Sequence, residues 1–388
     1  MRLLHTSDWH LGRTLAGYDR ADEHVAFLDE LVLLARDVDA VLITGDVFDS
    51  ANPPIASEAL FFEALARLGD GGRRPVLVIA GNHDAPDRIV ASQAVSGVHG
   101  AFLFGRPGDV SLTPDTDFIR VHDRRPSRVE LEWSAGRVCF GALPFPSESR
   151  LRALIAPDLA DEFDAQQRYS ARVGAVLSDL CDGTDAPVVL MSHLHVRDSV
   201  LGSSERTLVG GAWQVDASAL PERAAYVALG HVHKSQAVAP NAWYAGAPLA
   251  FRMDERDVPH VHLIVTLGSA IPEVTAVPVQ AGRRLVRLAV SSLEEVAAQV
   301  EALADCFVEV EVPLAPTTEA LVALRRLPLR LVRVRVTAGP TETTPSHERS
   351  TLAPSDLFRT WVRSHRGHDP DDALVSLFVE LCNEAGVS

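Results

Sequence analysis

The chain has 388 residues, 47% of them hydrophobic and 23% charged, and its formal charge is −16 at pH 7. That length can hold about two to three domains, and the acidic balance excludes a protein coated in basic surface for nucleic acid. No apolar run approaches the ~18 residues of a membrane span, and the N-terminus lacks a secretory signal, so we expect a cytoplasmic protein without a membrane partner.

Short apolar runs alternate with amphipathic stretches along the chain, a pattern typical of β-α units packed around a buried sheet. Strands are predicted at Arg2–Thr6, Ala40–Thr44, Pro75–Ala80, Val138–Leu143, Val188–Met191, Tyr226–Leu229, Ala242–Tyr244 and His260–Val265. Helices are predicted over Asp22–Ala35 and Ala56–Leu68. The stretch Ala101–Glu132 is predicted to be irregular.

After Gln280 the pattern changes to that of a small β-α-β-α-β unit. Its predicted elements are strands Leu285–Val290, Phe307–Val312 and Leu331–Val336, and helices Leu293–Ala304 and Thr318–Leu327. A Thr-, Pro- and Ser-rich stretch then predicts a linker, and two apolar stripes at helical spacing predict a helical tail that docks a partner. The predicted divisions are a main domain at 1–280, a capping domain at 281–339, a linker at 340–350 and the tail at 351–388.

Five polar clusters stand at or just after predicted strand ends, where open α/β sheets build their sites. They are Asp8-Trp9-His10, Gly45-Asp46-Val47-Phe48-Asp49, Gly81-Asn82-His83-Asp84, Ser192-His193-Leu194-His195 and Gly230-His231-Val232-His233. Alternation places residues i and i+2 on one side of an extended chain. Asp8 with His10, and His231 with His233, can therefore each point two donor atoms at one place.

The donors in these clusters are oxygen and nitrogen atoms, with no thiolate among them. The seven candidate ligands are Asp8, His10, Asp46, Asn82, His193, His231 and His233. Such a set favours a pair of Mn, Fe or Zn ions. Two divalent cations outweigh the two ligand carboxylates and leave a positive pocket for phosphate, where they can hold the attacking and leaving oxygens of an in-line displacement. The pattern therefore indicates phosphoester hydrolysis.

The motif order D-x-H, G-D-x-x-D, G-N-H-D, H, G-H-x-H resembles the calcineurin-like binuclear metallophosphoesterases. The residues around Asp8, Asp46 and His231 are similar, more narrowly, to the nuclease subunits of bacterial SbcCD-type complexes. The resemblance implies an α/β fold, a four-layer metallophosphoesterase sandwich with a small α+β capping domain and a helical C-terminal tail. It also implies two Mn²⁺ ions, with Mg, Fe or Zn as other occupants.

In this family pattern, one ion is held by Asp8, His10, Asp46 and His233, and the other by Asp46, Asn82, His193 and His231. His83 is implied to be a non-ligand histidine that protonates the leaving oxygen or steadies the charge of the transition state. The sequence leaves open whether Asp49 or Asp84 orients His83. It also leaves open whether His193 or His195 is the ligand, because both lie on one face.

The function implied by the resemblance is a metal-dependent DNA nuclease. It would degrade double-stranded ends 3′ to 5′ and cut hairpins and single strands in end processing, repair and recombination. The implied partners are double-stranded DNA ends and hairpins, an SbcC-type ATPase, and a second copy of the chain within a heterotetramer at the nucleoid. The other interpretations are a phosphatase or phosphodiesterase acting on a non-DNA substrate, and a non-catalytic scaffold for an ATPase.

One basic stretch stands out against the acidic background. It contains Arg325, Arg326, Arg330, Arg333 and Arg335. Arg333 and Arg335 share one face of a predicted strand, which makes a track for DNA phosphates possible. A solvated strand face is the alternative.

Overall fold

The computed structural model describes residues 1–147, 150, 162–201 and 213–337, and a few separate positions between 355 and 378. The predicted linker at 340–350 and most of the predicted tail at 351–388 lie outside the described residues. Within the described ranges, no helix combines the length and the apolar character needed to cross a membrane.

The described residues up to 280 form two large sheets and one two-stranded sheet, flanked by helices. The strands are β1 (Arg2–Thr6), β2 (Ala40–Thr44), β3 (Val76–Ile79), β4 (Ala101–Phe104), β5 (Arg120–Arg125), β6 (Arg128–Trp133), β7 (Gly136–Leu143), β8 (Val188–His193), β9 (His195–Val196), β10 (Gln214–Val215), β11 (Tyr226–Gly230), β12 (Gln236–Ala239), β13 (Ala242–Tyr244), β14 (Val261–Thr266) and β15 (Glu273–Pro278). The helices are α1 (Ala21–Ala35), α2 (Ile55–Leu68), α3 (Pro86–Ala91), α4 (Gln93–Ser96) and α5 (Glu162–Leu180).

The two sheets have six and seven strands. Their orders are β15-β14-β1-β2-β3-β4 and β12-β13-β11-β8-β7-β6-β5. Strands β1 to β4 are parallel to one another, and so are β7, β8, β11 and β13, whereas the outer strands are antiparallel. Parallel strands bring their carboxyl ends to one edge, so the predicted polar clusters gather there.

Apolar side chains on both faces of each sheet hold the layers together. Leu42 and Leu77 of the first sheet pack against Phe140 and Met191 of the second. The outer face of the first sheet packs against α1 and α2, and that of the second against α5. The order helix, sheet, sheet, helix confirms the predicted α/β four-layer architecture.

The prediction for Ala101–Glu132 was wrong, because this stretch contains β4, β5 and most of β6. β4 is a run of four apolar residues that are all buried, and periodicity alone does not distinguish so short a run from a segment of buried helix. β5 is largely polar and exposed, and it becomes a strand through antiparallel pairing with β6. Its formation depends on the neighbouring strand rather than on its own composition.

Residues after 280 form a separate three-stranded parallel sheet, as the pattern predicts. Its elements are β16 (Leu285–Ala289), α6 (Glu294–Ala297), α7 (Val300–Leu303), β17 (Phe307–Val312), α8 (Thr318–Arg325) and β18 (Arg330–Val336). The helix predicted over Leu293–Ala304 is two short helices, broken at Gln299, whose φ of −111° and ψ of 5° leave the helical region. At the start of α8, the Thr317 hydroxyl accepts a hydrogen bond from the amide of Ala320.

Several charged side chains form a joint between this small unit and the main domain, beside contacts made by Tyr18. The buried Arg20 donates to both carboxylate oxygens of Glu23 at 2.8 and 2.9 Å, and its guanidinium lies over the ring of Phe307 in β17. Arg283 bonds to Asp22, Glu23 and Asp305, which ties α1 to the start of the small unit. Both halves of the joint contribute charges, so the pairs fix the small unit against α1.

Truncating a side chain between the two sheets tests this packing. Leu42 is fully buried, and we expect Leu42→Ala to lower the free energy of unfolding by about 2 to 5 kcal/mol, because it leaves a cavity. Leu33→Ala on α1 is the matched control, since Leu33 is 55% exposed and should change it by less than about 0.5 kcal/mol. Urea denaturation measures both, and equal losses would contradict the four-layer packing.

Candidate metal centre

The loops that follow β1 and β2 run side by side and carry the first two motifs. The amides of Asp8, His10 and Leu11 donate to the carbonyls of Gly45, Asp46 and Val47, at 2.9 to 3.0 Å. Asp8, His10 and Asp46 have φ values of 52°, 45° and 46°, in the left-handed region that side chains other than glycine seldom adopt. Such strain persists where the surroundings force it and is common at functional sites.

The carboxylate of Asp46 lies at the middle of the cluster. Its Oδ2 is 3.6 Å from Nε2 of His10 and 3.6 Å from Nε2 of His193. Its Oδ1 accepts a hydrogen bond of 2.8 Å from the amide of His83. Asp46 therefore faces donors from both sheets and is the one carboxylate among the described residues placed to bridge two cations.

On one side of Asp46, donor atoms of Asp8, His10 and His233 converge. The three lie within 4.8 Å of one another and are all buried. Nε2 of His10 is 3.3 Å from Nε2 of His233, which in turn is 3.9 Å from Oδ1 of Asp8. Donors that share an ion at about 2.1 Å stand roughly 3 to 3.5 Å apart, so this group fits one cation.

On the other side of Asp46, the donors come from Asn82, His193 and His231. Oδ1 of Asn82 is 3.0 Å from Nε2 of His193 and 3.0 Å from Nδ1 of His231. The Nδ1 of His193 donates to the carbonyl of Thr44 at 2.8 Å, which fixes the tautomer and leaves Nε2 as the ligand atom. Asp8, Asp46 and His193 also converge within 4.8 Å of one another, so the two groups of sequence-predicted ligands adjoin at Asp46.

The glycines of these motifs allow the loops to approach closely. A Cβ on Gly81 would overlap the carboxylate of Asp46, and one on Gly45 would overlap the ring of His193. Gly45 also has a φ of 95°, which strains any other residue. The glycines are therefore required by the packing of the ligands and not only by the turns.

Burial keeps the histidine ligands neutral, the form that binds metal. It lowers the pKa of His10, His193 and His233, and it lowers that of His231 to about 3. Burial alone would raise the pKa of Asp46, but the net shift is downward, and the hydrogen bond from the amide of His83 favours its ionised form. Buried, neutral imidazoles around ionised carboxylates are a donor set suited to divalent cations.

The structure places His83 beside both donor groups, held by a main-chain atom. Its Nδ1 donates to the carbonyl oxygen of Asp49 at 2.8 Å, and its Nε2 lies 4.0 Å from Oδ2 of Asp46. The sequence left a choice between two orienting carboxylates, and in the structure both have other partners. The Asp49 carboxylate pairs with Arg13 at 2.7 Å, and that of Asp84 accepts from the amides of Val47, Phe48 and Gly81.

Asp84 therefore ties the second and third motif loops together. Burial, together with the nearby Asp46, raises the pKa of Asp84 to about 7. The three amide bonds oppose that rise, because they favour the ionised form. A carboxyl group in this position fixes the loop that carries Asp46 rather than touching His83.

The alternatives His193 and His195 occupy different environments. His193 ends β8 with its ring against Asp46 and Asn82, whereas His195 starts β9, where its ring centroid lies 6.1 Å from that of His231. Of the two, only His193 belongs to the convergent donor groups found among the described residues. The geometry favours His193 as the ligand.

Three of the five arginines of the predicted DNA track form ion pairs with acidic side chains. Arg333 pairs with the buried Glu309, and Arg335 lies 3.6 Å from Glu311, both on the neighbouring β17. Arg330 lies 3.5 Å from Asp305. Arg325 and Arg326 are exposed at the end of α8. The acidic partners weaken the positive field of the strand, and a DNA contact by these arginines stays a prediction.

Sequence reasoning missed several residues that shape the site. Phe251 packs edge-on against His10 and His233, with centroids 4.8 and 5.0 Å apart, and Arg13 lies over its other face. The carbonyls of Thr44 and Asp49 orient His193 and His83. Carbonyl contacts leave no residue-type signal, whereas Arg13, three residues after His10, could have been noted as a nearby cation.

Comparisons with known proteins agree with this geometry. The calcineurin-like phosphoesterase family profile matches residues 1–235. The chain is 34% identical to the SbcD subunit of the SbcCD nuclease of Bacillus subtilis, over 99% of this chain and 98% of that protein. The protein of the same name from Rhodobacter capsulatus is 34% identical over 93% and 92% of the two chains, and that from Escherichia coli K12 is 29% identical over 71% and 67%.

The chain belongs to the calcineurin-like phosphoesterase family, in its SbcD branch. The family profile spans every predicted ligand, from Asp8 to His233. Membership together with the two donor groups makes the chain a metal-dependent phosphodiesterase.

Acidification should destabilise the metal-free chain. Burial lowers the pKa of His5 and His231 to about 3 from an ordinary value of 6.5, so the unfolded chain binds more protons than the folded one below that value. Stability is then fully present above pH 6.5 and is lost as the pH falls towards 3, by up to about 1.4 kcal/mol per pH unit for each histidine.

Urea denaturation in the presence of a metal chelator, at several pH values from about 7 to about 5, measures how the free energy of unfolding changes with pH. His5→Gln should flatten this dependence, and His368→Gln, at an exposed position, should leave it unchanged. A stability that stays constant or rises on acidification would contradict the neutral state of the buried histidines.

Proposed function

We propose that the chain is the DNA-cutting subunit of an ATP-regulated complex that processes DNA ends. Its activity is metal-dependent hydrolysis of phosphodiesters, as a 3′ to 5′ exonuclease on double-stranded ends and an endonuclease on hairpins and single strands. The observation that carries this proposal is the pair of donor groups that share Asp46, with His83 beside them. A non-catalytic scaffold would not need to retain this set.

Two observations favour a nuclease over a phosphatase that acts on small or protein substrates. The family profile ends at residue 235, yet the similarity to the Bacillus subtilis nuclease continues over 99% of the chain. The extra residues build the three-stranded unit, which a minimal phosphatase does not need. We therefore assign residues 281–339 to a capping domain on the DNA side and 351–388 to partner docking.

Two cations bound at these groups would lower the pKa of water towards neutrality and offset the charge of the phosphate. The pocket needs this help, since the chain as a whole carries a charge of −16. Oxygen and nitrogen donors without thiolate favour Mn²⁺, with Mg, Fe or Zn as other occupants. Asp8, His10, Asp46 and His233 would hold one ion, and Asp46, Asn82, His193 and His231 would hold the other.

His83 is placed to supply a proton to the leaving oxygen. Its Nδ1–H is engaged by the Asp49 carbonyl, which fixes the ring and directs Nε2 towards the cluster. His83 is not one of the seven proposed ligands, although it lies close to His10 and Asp49, and an imidazole is the commonest general acid in enzymes. His83 therefore acts as a general acid and not as a ligand.

The partners follow from the branch of the family. The relatives from Bacillus subtilis and Rhodobacter capsulatus are named as the SbcD component of the SbcCD nuclease, and we propose an SbcC-type ATPase as the partner of this chain too. Double-stranded DNA ends and hairpins are the substrates, and a second copy of the chain completes a heterotetramer at the nucleoid. The ATPase would then control access of DNA to the metal centre.

The first experiment measures Mn²⁺-dependent release of nucleotides from a double-stranded DNA end by the purified full chain. We expect the parent chain to cut both this DNA and bis(p-nitrophenyl) phosphate, a generic phosphodiester. Asp46→Asn should lose more than about 100-fold of both activities, because it removes the bridging charge. Asp257→Asn, at a position 76% exposed, is the matched control and should cut normally.

Hydrolysis of the generic phosphodiester alone, even with an SbcC-type ATPase added, would overturn the nuclease assignment and leave the phosphodiesterase class intact. Hydrolysis of neither compound by a chain that binds Mn²⁺ would overturn both.

A second prediction separates the general acid from the ligands. His83→Ala should keep both bound Mn²⁺ ions and lower kcat by about 100- to 10,000-fold, because the leaving oxygen loses its proton donor. The loss should be smaller for bis(p-nitrophenyl) phosphate, whose leaving group needs little protonation. Metal content by atomic emission and kcat on both substrates check this. Loss of an ion in His83→Ala would show that the residue is a ligand.

A further inference from the structure

Asp49 connects two functional histidines through two different groups. Its carboxylate Oδ1 lies 3.4 Å from Nδ1 of His10, on the ring edge opposite the ligand atom Nε2. Its main-chain carbonyl accepts the hydrogen bond from His83. One residue thus faces a predicted metal ligand with its side chain and the proposed general acid with its backbone.

Arg13 holds the Asp49 carboxylate in place. Its Nη1 donates to the same Oδ1 at 2.7 Å, and its guanidinium carbon lies 4.7 Å from the centroid of Phe251. Phe251 is 3% exposed and packs against His10 and His233, so it gives Arg13 a rigid support. A series of contacts thus runs from Arg13 through Asp49 to His10, which belongs to the donor group that also contains Asp8 and His233.

We infer that Arg13 and Asp49 are a positioning pair that sets the cation affinity of the donor group formed by Asp8, His10 and His233. A carboxylate on the far nitrogen of a ligand imidazole fixes its tautomer and orientation and makes it a stronger donor. The hydrogen bond from Arg13 holds the Asp49 carboxylate beside His10. This inference deepens the proposed function at the same site, and it rests on that site binding cations.

The donor group on the other side of Asp46 uses a different device. There the Nδ1 of His193 donates to a neutral carbonyl, that of Thr44, at 2.8 Å. A charged partner strengthens an imidazole ligand more than a neutral one does. The two cation positions should therefore respond differently to the loss of Asp49, with one binding event weakened and the other unchanged.

Isothermal titration of the metal-free full chain with Mn²⁺ tests this without any DNA. Asp49→Asn keeps the main-chain carbonyl that holds His83, and we expect it to weaken one of two Mn²⁺ binding events by about 10- to 100-fold. Arg13→Gln should weaken the same event by a smaller factor. The double variant should match Asp49→Asn, because Arg13 acts through Asp49.

The matched controls are Asp87→Asn and Arg106→Gln, which remove an ion pair whose side chains are 79% and 46% exposed. Both should bind Mn²⁺ as the parent chain does. Unchanged Mn²⁺ affinities in Asp49→Asn and Arg13→Gln, in chains that keep the parental circular dichroism, would overturn the inference. So would an Arg13→Gln variant that only raises KM for DNA, since Arg13 would then bind substrate phosphate.

Failure of the nuclease proposal is a separate outcome. It appears as absent DNA cleavage by the parent chain, whereas the positioning pair is judged by Mn²⁺ affinity alone. A parent chain that binds a single Mn²⁺ ion would contradict the two-cation proposal, and loss of affinity for that ion in Asp49→Asn would still support the pair.

Discussion

The position of the Asp46 carboxylate is the constraint on which the whole site depends. One of its oxygens faces histidines from both sheets, and the other is held by the amide of His83. At that point the backbone of Asp46 has a left-handed conformation. Position 81, next to the carboxylate, must be glycine, because a Cβ there would overlap Asp46. The carboxylate of Asp84 accepts hydrogen bonds from the amides of Val47 and Phe48, in the loop that carries Asp46, and from the amide of Gly81.

The cluster of donor side chains does not stabilise the fold by itself, because removing polar groups from water costs free energy. Three buried histidines, the partly buried His231 and two buried carboxylates would be poorly solvated without cations, and desolvation lowers the pKa of the histidines so that they stay neutral. The apolar layers on both sides of the sheets hold the donors together against this cost. The free energy gained by packing the core thereby keeps the donor atoms in place before any cation binds.

Much of the fold and the convergence of the candidate donors could be predicted from the sequence, because both depend on residue type and local spacing. The parallel strands were recognisable as short apolar runs, and the candidate ligands as polar clusters at the ends of those strands. Strand β5 could not be recognised from the sequence, since its polar side chains show no strand pattern and only its pairing with β6 defines it. The orientation of His83 was also out of reach, because a main-chain carbonyl supplies it.

The division of the donors between two sheets has a consequence for biosynthesis. Asp8, His10, Asp46 and Asn82 follow strands of the first sheet, whereas His193, His231 and His233 belong to the strand ends of the second. Strand β1 also needs β14, which ends at Thr266, as its partner on one side. During translation the N-terminal segment emerges first, and it holds neither complete donor group. Neither donor group can therefore be completed until most of the chain has been made.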